Sequence, residues 1–419
     1  MKSKSYHNGW QAAAHALIDY DASPCKSEIL IKRFRKGLAT EDIATLQKLF
    51  LSSLKNRRLC RFLLEQNISR KPRPVLYAAL HIAVAELLEA PHPAQCVHFA
   101  VDQIRTLCSP AEAHFANAVL RKIRPLFDQF QAGAESDPSR WGLLYSYPEW
   151  LVQHWLQIFP AAQVRELLQW NQSIPEVYVR GFSGEGQGIT PAQWSGFSLV
   201  DASGGRLQKL LETHPGTFVC DPSTAHPIAL LDVQPAHKVL DLCAAPGGKS
   251  RQILQQLGSQ GLLCSVDLPS ERLPRLRENL QADKRARVLG ADVLTLTQAQ
   301  LHRVAGAASF DRVLLDAPCS NTGVLRRRAD ARWRLQEGDI EACSRLQLEL
   351  LQKAAEFVSP GGLLVYSTCS IEPAENQAIA DAFVRSLIDD FTPVGAKLSF
   401  PWQDGHDGGA AFAFKRNLK

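Results

Sequence analysis

Lys238-Val239-Leu240-Asp241-Leu242-Cys243-Ala244-Ala245-Pro246-Gly247-Gly248-Lys249-Ser250 is the stretch that decides the fold. Residues 238–242 form a short apolar run of strand character, and two glycines follow before a segment of helical pattern. Glycine lets the backbone approach a ligand closely, and a helix N-terminus offers free N–H groups to it. The alternation then repeats. Residues 262–266, 286–289, 310–315 and 362–366 read as strands, with helical spacing between them, notably from Ile340 to Val358. This predicts an α/β, Rossmann-like doubly wound sheet with helices on both faces. Such sheets bind ligands beyond the carboxyl ends of their strands.

Chemistry gathers at those ends. Asp267 ends the second strand, where an acid accepts hydrogen bonds from a ribose diol. Asp292 follows the third strand in Gly290-Ala291-Asp292, placed to accept from an exocyclic amine or a ring edge. Each acid equally suits a helix N-cap or a turn. The adjacent glycines lack the spaced G-x-G-x-x-G of nicotinamide binders, and S-adenosylmethionine fits better. Cys319 lies in Asp316-Ala317-Pro318-Cys319-Ser320, and Cys369 in Ser367-Thr368-Cys369-Ser370, each just past an apolar strand. Two thiols and a carboxylate therefore converge on one pocket. That combination predicts a nucleophilic thiol beside a nucleotide-like cofactor.

A chain of 419 residues predicts two or three domains. Hydrophobic content of 45% and charged content of 21% are those of a soluble globular protein. Met1–Tyr6 carry no apolar signal core, and the apolar run Val75–Leu88 is short for a membrane span and contains His81 and Glu86. A buried helix is expected there, and no membrane partner. The 10 cysteines are scattered, without a C-x-x-C pair or zinc spacing. Reduced thiols, a cytoplasmic location and no metal site are expected. Residues 1–130 carry 19 Lys and Arg against 11 Asp and Glu, although the whole chain is only +5. That surplus suits a polyanionic partner, or equally a solvated helical surface.

The expected organisation has three parts. Residues 1–130 read as all-helical, with Leu76, Leu80, Val84 and Leu87 on one face and breaks at Pro91-His92-Pro93 and Ser109-Pro110. Residues 131–140 read as a linker. Residues 141–225 read as a small α+β region, with Trp141, Trp150, Trp155 and Trp170 as core and a strand at 177–180. Residues 226–419 carry the doubly wound sheet.

The set Cys243–Lys249 (CAAPGGK), Asp316–Ser320 (DAPCS), Gly323-Val324 with Arg326-Arg327, and Thr368-Cys369-Ser370 resembles the RNA cytosine-C5 methyltransferases. Ala79–Leu88, Ala94–Ala100 and Ala116–Arg121 resemble the NusB-type RNA-binding helical domain. The fusion is similar to the bacterial Sun/Fmu subfamily, which methylates a cytosine of 16S ribosomal RNA. The resemblance implies that Cys243, Ala244, Ala245, Pro246, Gly247, Gly248, Lys249, Asp267, Asp292 and Asp316 bind S-adenosylmethionine. It implies that Cys369 is the nucleophile and that Cys319 helps release the product. The partner it implies is RNA, 16S rRNA first, and a monomer is expected.

Carbon 5 of cytosine is a poor nucleophile until a thiolate adds at carbon 6, so the reading is chemically complete: Cys369 adds, Asp316 holds the N3/N4 edge, and Cys319 takes the carbon-5 proton. Lys249 or the Arg326–Arg328 cluster is expected to favour the Cys369 thiolate. Arg326, Arg327, Arg328, Arg332 and Arg334 suit a solvated face or, beside a nucleobase pocket, a clamp on phosphates, with Trp333 either stacking on a base or packing in a core. The chain departs from the family pattern at Asn321, where Gly or Ala is usual, at Ala329 and Ala331, near Tyr178–Phe182, and at Asp407–Ala410. The same chemistry on tRNA, and a non-catalytic assembly factor, are the alternatives.

Overall fold

The computed structural model describes residues 8–182, 184, 186 and 188–418. Two compact units divide the chain: residues 1–173 with 325–337, and residues 174–324 with 338–419.

The first unit is helical. Its helices are α1 (Gly9–Ala22), α2 (Ser27–Phe34), α3 (Thr40–Lys55), α4 (Arg57–Glu65), α5 (Pro74–Glu89), α6 (Pro93–Leu107), α7 (Pro110–Ala134), α8 (Trp141–Leu144), α9 (Glu149–Ile158) and α10 (Ala161–Gln172). The apolar run expected to be buried is α5, against which α1, α3, α4, α6 and α7 all pack. Proline opens α5, α6 and α7, where the missing N–H costs nothing, and Ser109 caps α7 by accepting from the Glu112 N–H. The expected linker at 131–140 is not a linker. Helix α7 runs through its first four residues because Phe130 and Ala134 are buried, and Pro138–Arg140 form a 3-10 turn. Residues 141–173 also belong here rather than with a mixed α+β region. Leu151, Val152 and Trp155 of α9, with Val164, Leu167 and Leu168 of α10, are buried at helical spacing.

Segment 325–337 completes this unit from far along the chain. Arg332 is fully buried, its guanidinium 4.0 Å from the Tyr147 ring centre. It donates to the carbonyls of Lys55, Tyr145, Ser146 and Asn171 at 3.3–3.5 Å. Arg326 is buried over Trp170 at 4.1 Å, and Trp333 donates its indole N–H to the Leu54 carbonyl at 2.6 Å. Ser27 donates to Asp330 at 3.0 Å. The expected phosphate clamp is thereby corrected. Two of its arginines spend their charge on aromatic faces and buried carbonyls, where desolvation is offset by cation–π contact and hydrogen bonds. Trp333 takes the packing alternative.

The second unit holds two sheets among the described residues. The smaller is antiparallel, with strands β1 (Val177–Arg180), β2 (Ile189–Pro191), β3 (Phe197–Val200) and β4 (Phe218–Val219) in the order β2-β3-β1-β4. The larger contains β5 (Lys238–Leu242), β6 (Leu262–Asp267), β7 (Ala286–Gly290), β8 (Phe310–Asp316), β9 (Val358–Thr368), β10 (Phe391–Ser399) and β11 (Gly409–Arg416). Its order is β10-β11-β9-β8-β5-β6-β7, with β5 to β9 mutually parallel and β11 antiparallel to both of its neighbours, β9 and β10. Helices 225–231, 248–256 and 273–280 bury Leu231, Ile253 and Leu276 on one face. Helices 298–305, 339–355 and 377–386 bury Leu301, Leu351 and Phe383 on the other. The doubly wound expectation is met, with an antiparallel hairpin added at one edge.

Replacing Arg332 by alanine should remove a full-length buried side chain and orphan several carbonyls. Urea unfolding should show a loss of about 2–4 kcal/mol. Arg328→Ala, at an exposed position, should stay within about 0.5 kcal/mol of wild type.

Candidate active site

The strand order determines what meets at the carboxyl edge. Walking from β7 through β6 and β5 to β8 and β9, the edge presents Asp292, Asp267, the loop 243–249, Asp316 with Cys319, and finally Cys369. The acids and the glycine turn occupy one half, and the thiols the other.

In the first half the loop is tied to its neighbours. Asp267 Oδ2 accepts the Ala245 N–H at 2.8 Å, and Arg272 donates to the Ala245 carbonyl. The Ala244 N–H is donated to Val266 at 3.0 Å, and the Ala245-Pro246 bond is cis. Gly247 has φ +104°, a left-handed conformation that a side chain would strain and that a Cβ would crowd against Leu276 at 3.0 Å. Gly248 then opens the helix 248–256, with open space where its Cβ would point. Burial pushes the Cys243 thiol far up, aided by Asp267 and Asp316. Asp292 is exposed and caps the turn Val293–Thr295 by accepting the Leu294 N–H at 3.0 Å, the capping role open to it from the start.

Beneath the loop, Asp241 is fully buried in an otherwise apolar strand. Its Oδ2 accepts from Ser250 Oγ at 2.5 Å, and Ser250 also meets Ser265 at 3.1 Å. Among the described residues Oδ1 has no hydrogen-bond partner. Burial outweighs the Ser250 bond and pushes the carboxyl up to about 7.

In the second half, Asp316 is gripped from two sides. Lys249 Nζ lies 2.7 Å from Oδ2, and Ser367 Oγ donates to Oδ1 at 2.9 Å. Burial opposes the Lys249 charge, yet the Asp316 carboxylate prevails and holds the ammonium above its usual range. The sulfurs of Cys319 and Cys369 are 3.2 Å apart. The hydrogen bond that the Cys319 thiol shares with Cys369 is the foremost reason it stands well above its usual range, followed by burial and the Cys369 and Glu375 charges. A cavity of about 90 Å³ opens beside Cys369, lined by Lys249, Ser367 and Thr368 with Asp221, His226 and Asp407.

Asn321 has φ +64°, which asparagine tolerates better than most residues. Its side chain donates to the Cys319 carbonyl at 2.7 Å and turns Oδ1 to Cys369 Sγ at 3.5 Å. The larger residue thus braces the loop. Of the cations expected to act on Cys369, Lys249 lines its cavity. Arg326 is buried against Trp170 in the helical unit.

Sequence reasoning passed over Asp241 and Glu375. An acid inside Val239-Leu240-Asp241-Leu242 was the available signal for the first. Glu375, six residues past Cys369, had only its proximity to announce it.

A glycine turn after the first parallel strand, acids on the strands beside it and helices on both faces define a Rossmann-like methyltransferase fold. The family model for 16S rRNA methyltransferase RsmB/F matches residues 228–394, and that of the NusB family residues 10–125. Ribosomal RNA small subunit methyltransferase B of Serratia proteamaculans is 30% identical over 384 residues, covering 86% of each chain. That of Pasteurella multocida is 28% identical, over 93% of this chain and 91% of its own. Among solved structures, PH0851 is similar with a TM-score of 0.74 at 21% identity, covering 99% of this chain and 100% of its own. A methyltransferase homolog protein from Pyrococcus horikoshii has a TM-score of 0.55 at 22% identity, over 67% of this chain and 99% of its own. The chain belongs to the ribosomal RNA small subunit methyltransferase B family, whose methyl donor is S-adenosylmethionine. No helix among the described residues is long and apolar enough to cross a membrane.

The buried Asp241 gives the fold a pH signature. Its folded pKa lies above that of an unfolded carboxyl, so folding takes up a proton, and the stability it contributes is lost as pH rises through about 7. In urea unfolding, wild type should lose on the order of a few kcal/mol relative to Asp241→Asn between about pH 4 and 7.

Proposed function

We propose that this chain transfers a methyl group from S-adenosylmethionine to carbon 5 of a cytosine in small-subunit ribosomal RNA, through a transient Cys369–cytosine C6 bond resolved with help from Cys319. The observation that carries the reading is the pair of thiols 3.2 Å apart beside a carboxylate fixed by Lys249 and Ser367. The names of the relatives support the RNA substrate. The NusB-like helices are assigned to RNA binding, the strands of 174–225 to substrate recognition, and the whole to a monomer acting in the cytoplasm, where ten free cysteines stay reduced.

S-adenosylmethionine supplies an electrophilic sulfonium methyl. The left-handed Gly247 and the open helix start at Gly248 suit its close approach, and residues 243–249 with Asp267, Asp292 and Asp316 would hold it. Cys369 Sγ adds to carbon 6 of the base, which makes the ring enamine-like and carbon 5 nucleophilic. Asp316, oriented by Lys249 and Ser367, accepts hydrogen bonds from the N3/N4 edge. Reaching a base inside RNA requires it to be unpaired or flipped.

Cys319 then acts at carbon 5. The hydrogen bond to Cys369 heads the causes that hold the Cys319 proton in place. Once Cys369 sulfur is bonded to carbon, that hydrogen bond is gone. Cys319 then gives up its own proton to water more readily, and the resulting thiolate takes the carbon-5 proton while the electron pair of the C–H bond re-forms the ring double bond and expels Cys369.

Cys369→Ser should lower methyl transfer by on the order of 10⁴-fold or more and end covalent trapping by 5-azacytidine RNA. Cys319→Ala should accumulate a protein–RNA adduct on ordinary RNA, seen as a shifted band on a denaturing gel. Bisulfite sequencing of 16S rRNA from a deletion strain should show one cytosine newly converted. A serine variant with wild-type turnover, or no change in the sequencing, would refute the reading.

A further inference from the structure

We infer that Glu375 is a positioning residue: its buried carboxylate clamps the two cysteine-bearing loops together and sets the separation of the two sulfurs. The inference rests on the proposed roles of both thiols for its catalytic consequence, but not for its structural content.

Glu375 is fully buried in a pocket of hydroxyls and amides. Its Oε1 accepts the Ser320 N–H at 2.9 Å and the Gln347 side-chain amide at 2.9 Å. Its Oε2 accepts from Ser320 Oγ and, at 2.5 Å, from Ser370 Oγ. Ser320 directly follows Cys319, and Ser370 directly follows Cys369. One carboxylate thus holds the residue after each thiol, from both strand ends at once. Gln347 extends the clamp by donating to the Pro318 carbonyl, the residue before Cys319, at 2.9 Å. Thr322 reinforces it, 3.1 Å from Ser370 Oγ and accepting the Ile371 N–H at 3.2 Å. The Glu375 carbonyl in turn accepts the Tyr366 hydroxyl at 2.6 Å, anchoring the clamp to β9.

A buried carboxylate is an expensive way to join two loops. Truncation to alanine removes all four acceptor contacts at once, leaving the Ser320 N–H and the Gln347 amide without this partner. Burial pushes the Glu375 carboxyl above its usual range, a cost that the hydrogen bonds from Ser320, Ser370 and Gln347 offset in part. Such a cost marks a geometry the site requires. Cys369 must reach carbon 6 and Cys319 carbon 5 of one small ring, so their spacing sets whether addition and resolution occur in the same pose.

The distance is read without any methylation assay. Diamide, a two-electron thiol oxidant, takes two electrons and two protons from a pair of adjacent thiols and leaves a disulfide. The rate at which it joins Cys319 to Cys369 in the full chain, followed by peptide mass spectrometry, reports their apposition. Glu375→Ala should slow this cross-link at least about 10-fold and lower kcat by about 10–100-fold, with S-adenosylhomocysteine binding held within about 3-fold. Glu375→Asp, which keeps the carboxyl on a shorter arm, should recover part of both. A folded Glu375→Ala protein that cross-links as fast as wild type overturns the inference. Slow cross-linking in the variants supports it even if wild type fails to methylate cytosine, the outcome that would remove the proposed function alone.

Discussion

Asp316 stands opposite Ser367 in the parallel pairing of β8 with β9, and the thiol half of the site depends on that register. Ser367 then donates to Asp316, and both chains leave the sheet at the same level. Cys319 follows three residues after Asp316, and Cys369 two after Ser367. The sulfurs therefore arrive side by side. A slip of one residue would turn every β9 side chain to the opposite face and separate the thiols. The apolar runs of both strands prevent it, because Val313, Leu315, Leu364 and Tyr366 are buried in one core.

The second constraint is electrostatic. The sheet edge concentrates Asp241, Asp267 and Asp316 around one lysine, and Glu375 lies behind the thiols. These acids are handled differently. Asp316 is neutralised by Lys249 at 2.7 Å. Asp241 is buried, one of its oxygens has no hydrogen-bond partner among the described residues, and it holds its proton to about 7. Glu375 is met by hydroxyls and amides. Each of these acids thus meets a different set of partners within one domain.

Much of this was legible in the chain. Strand ends, glycine turn, acids and both cysteines could be read because each is local, a short motif at the end of an apolar run. The helices α5 to α7 were legible for the same reason, through proline and serine punctuation. What escaped was non-local. Glu375 matters only because Ser320, 55 residues earlier, folds back to it. Arg326 and Arg332 looked like a basic surface because charge predicts exposure, and their aromatic partners Trp170 and Tyr147 lie more than 150 residues away. The β10–β11 hairpin was hidden by small residues, Ala410, Ala411 and Ala413, which mimic no strong strand pattern.

Segment 325–337 carries a consequence for how the chain is made. Its residues complete the interior of a unit whose other members all precede residue 174. A ribosome synthesises from the amino end, so α1 to α10 emerge while Arg332 and Trp333 are still unwritten in the peptide. The helical unit must wait with an unfilled interior until roughly 150 further residues have been polymerised, on the order of ten seconds or more at bacterial elongation speed. A vacancy of that duration is a natural station for a chaperone, and no cut at residue 173 would release a self-sufficient fragment.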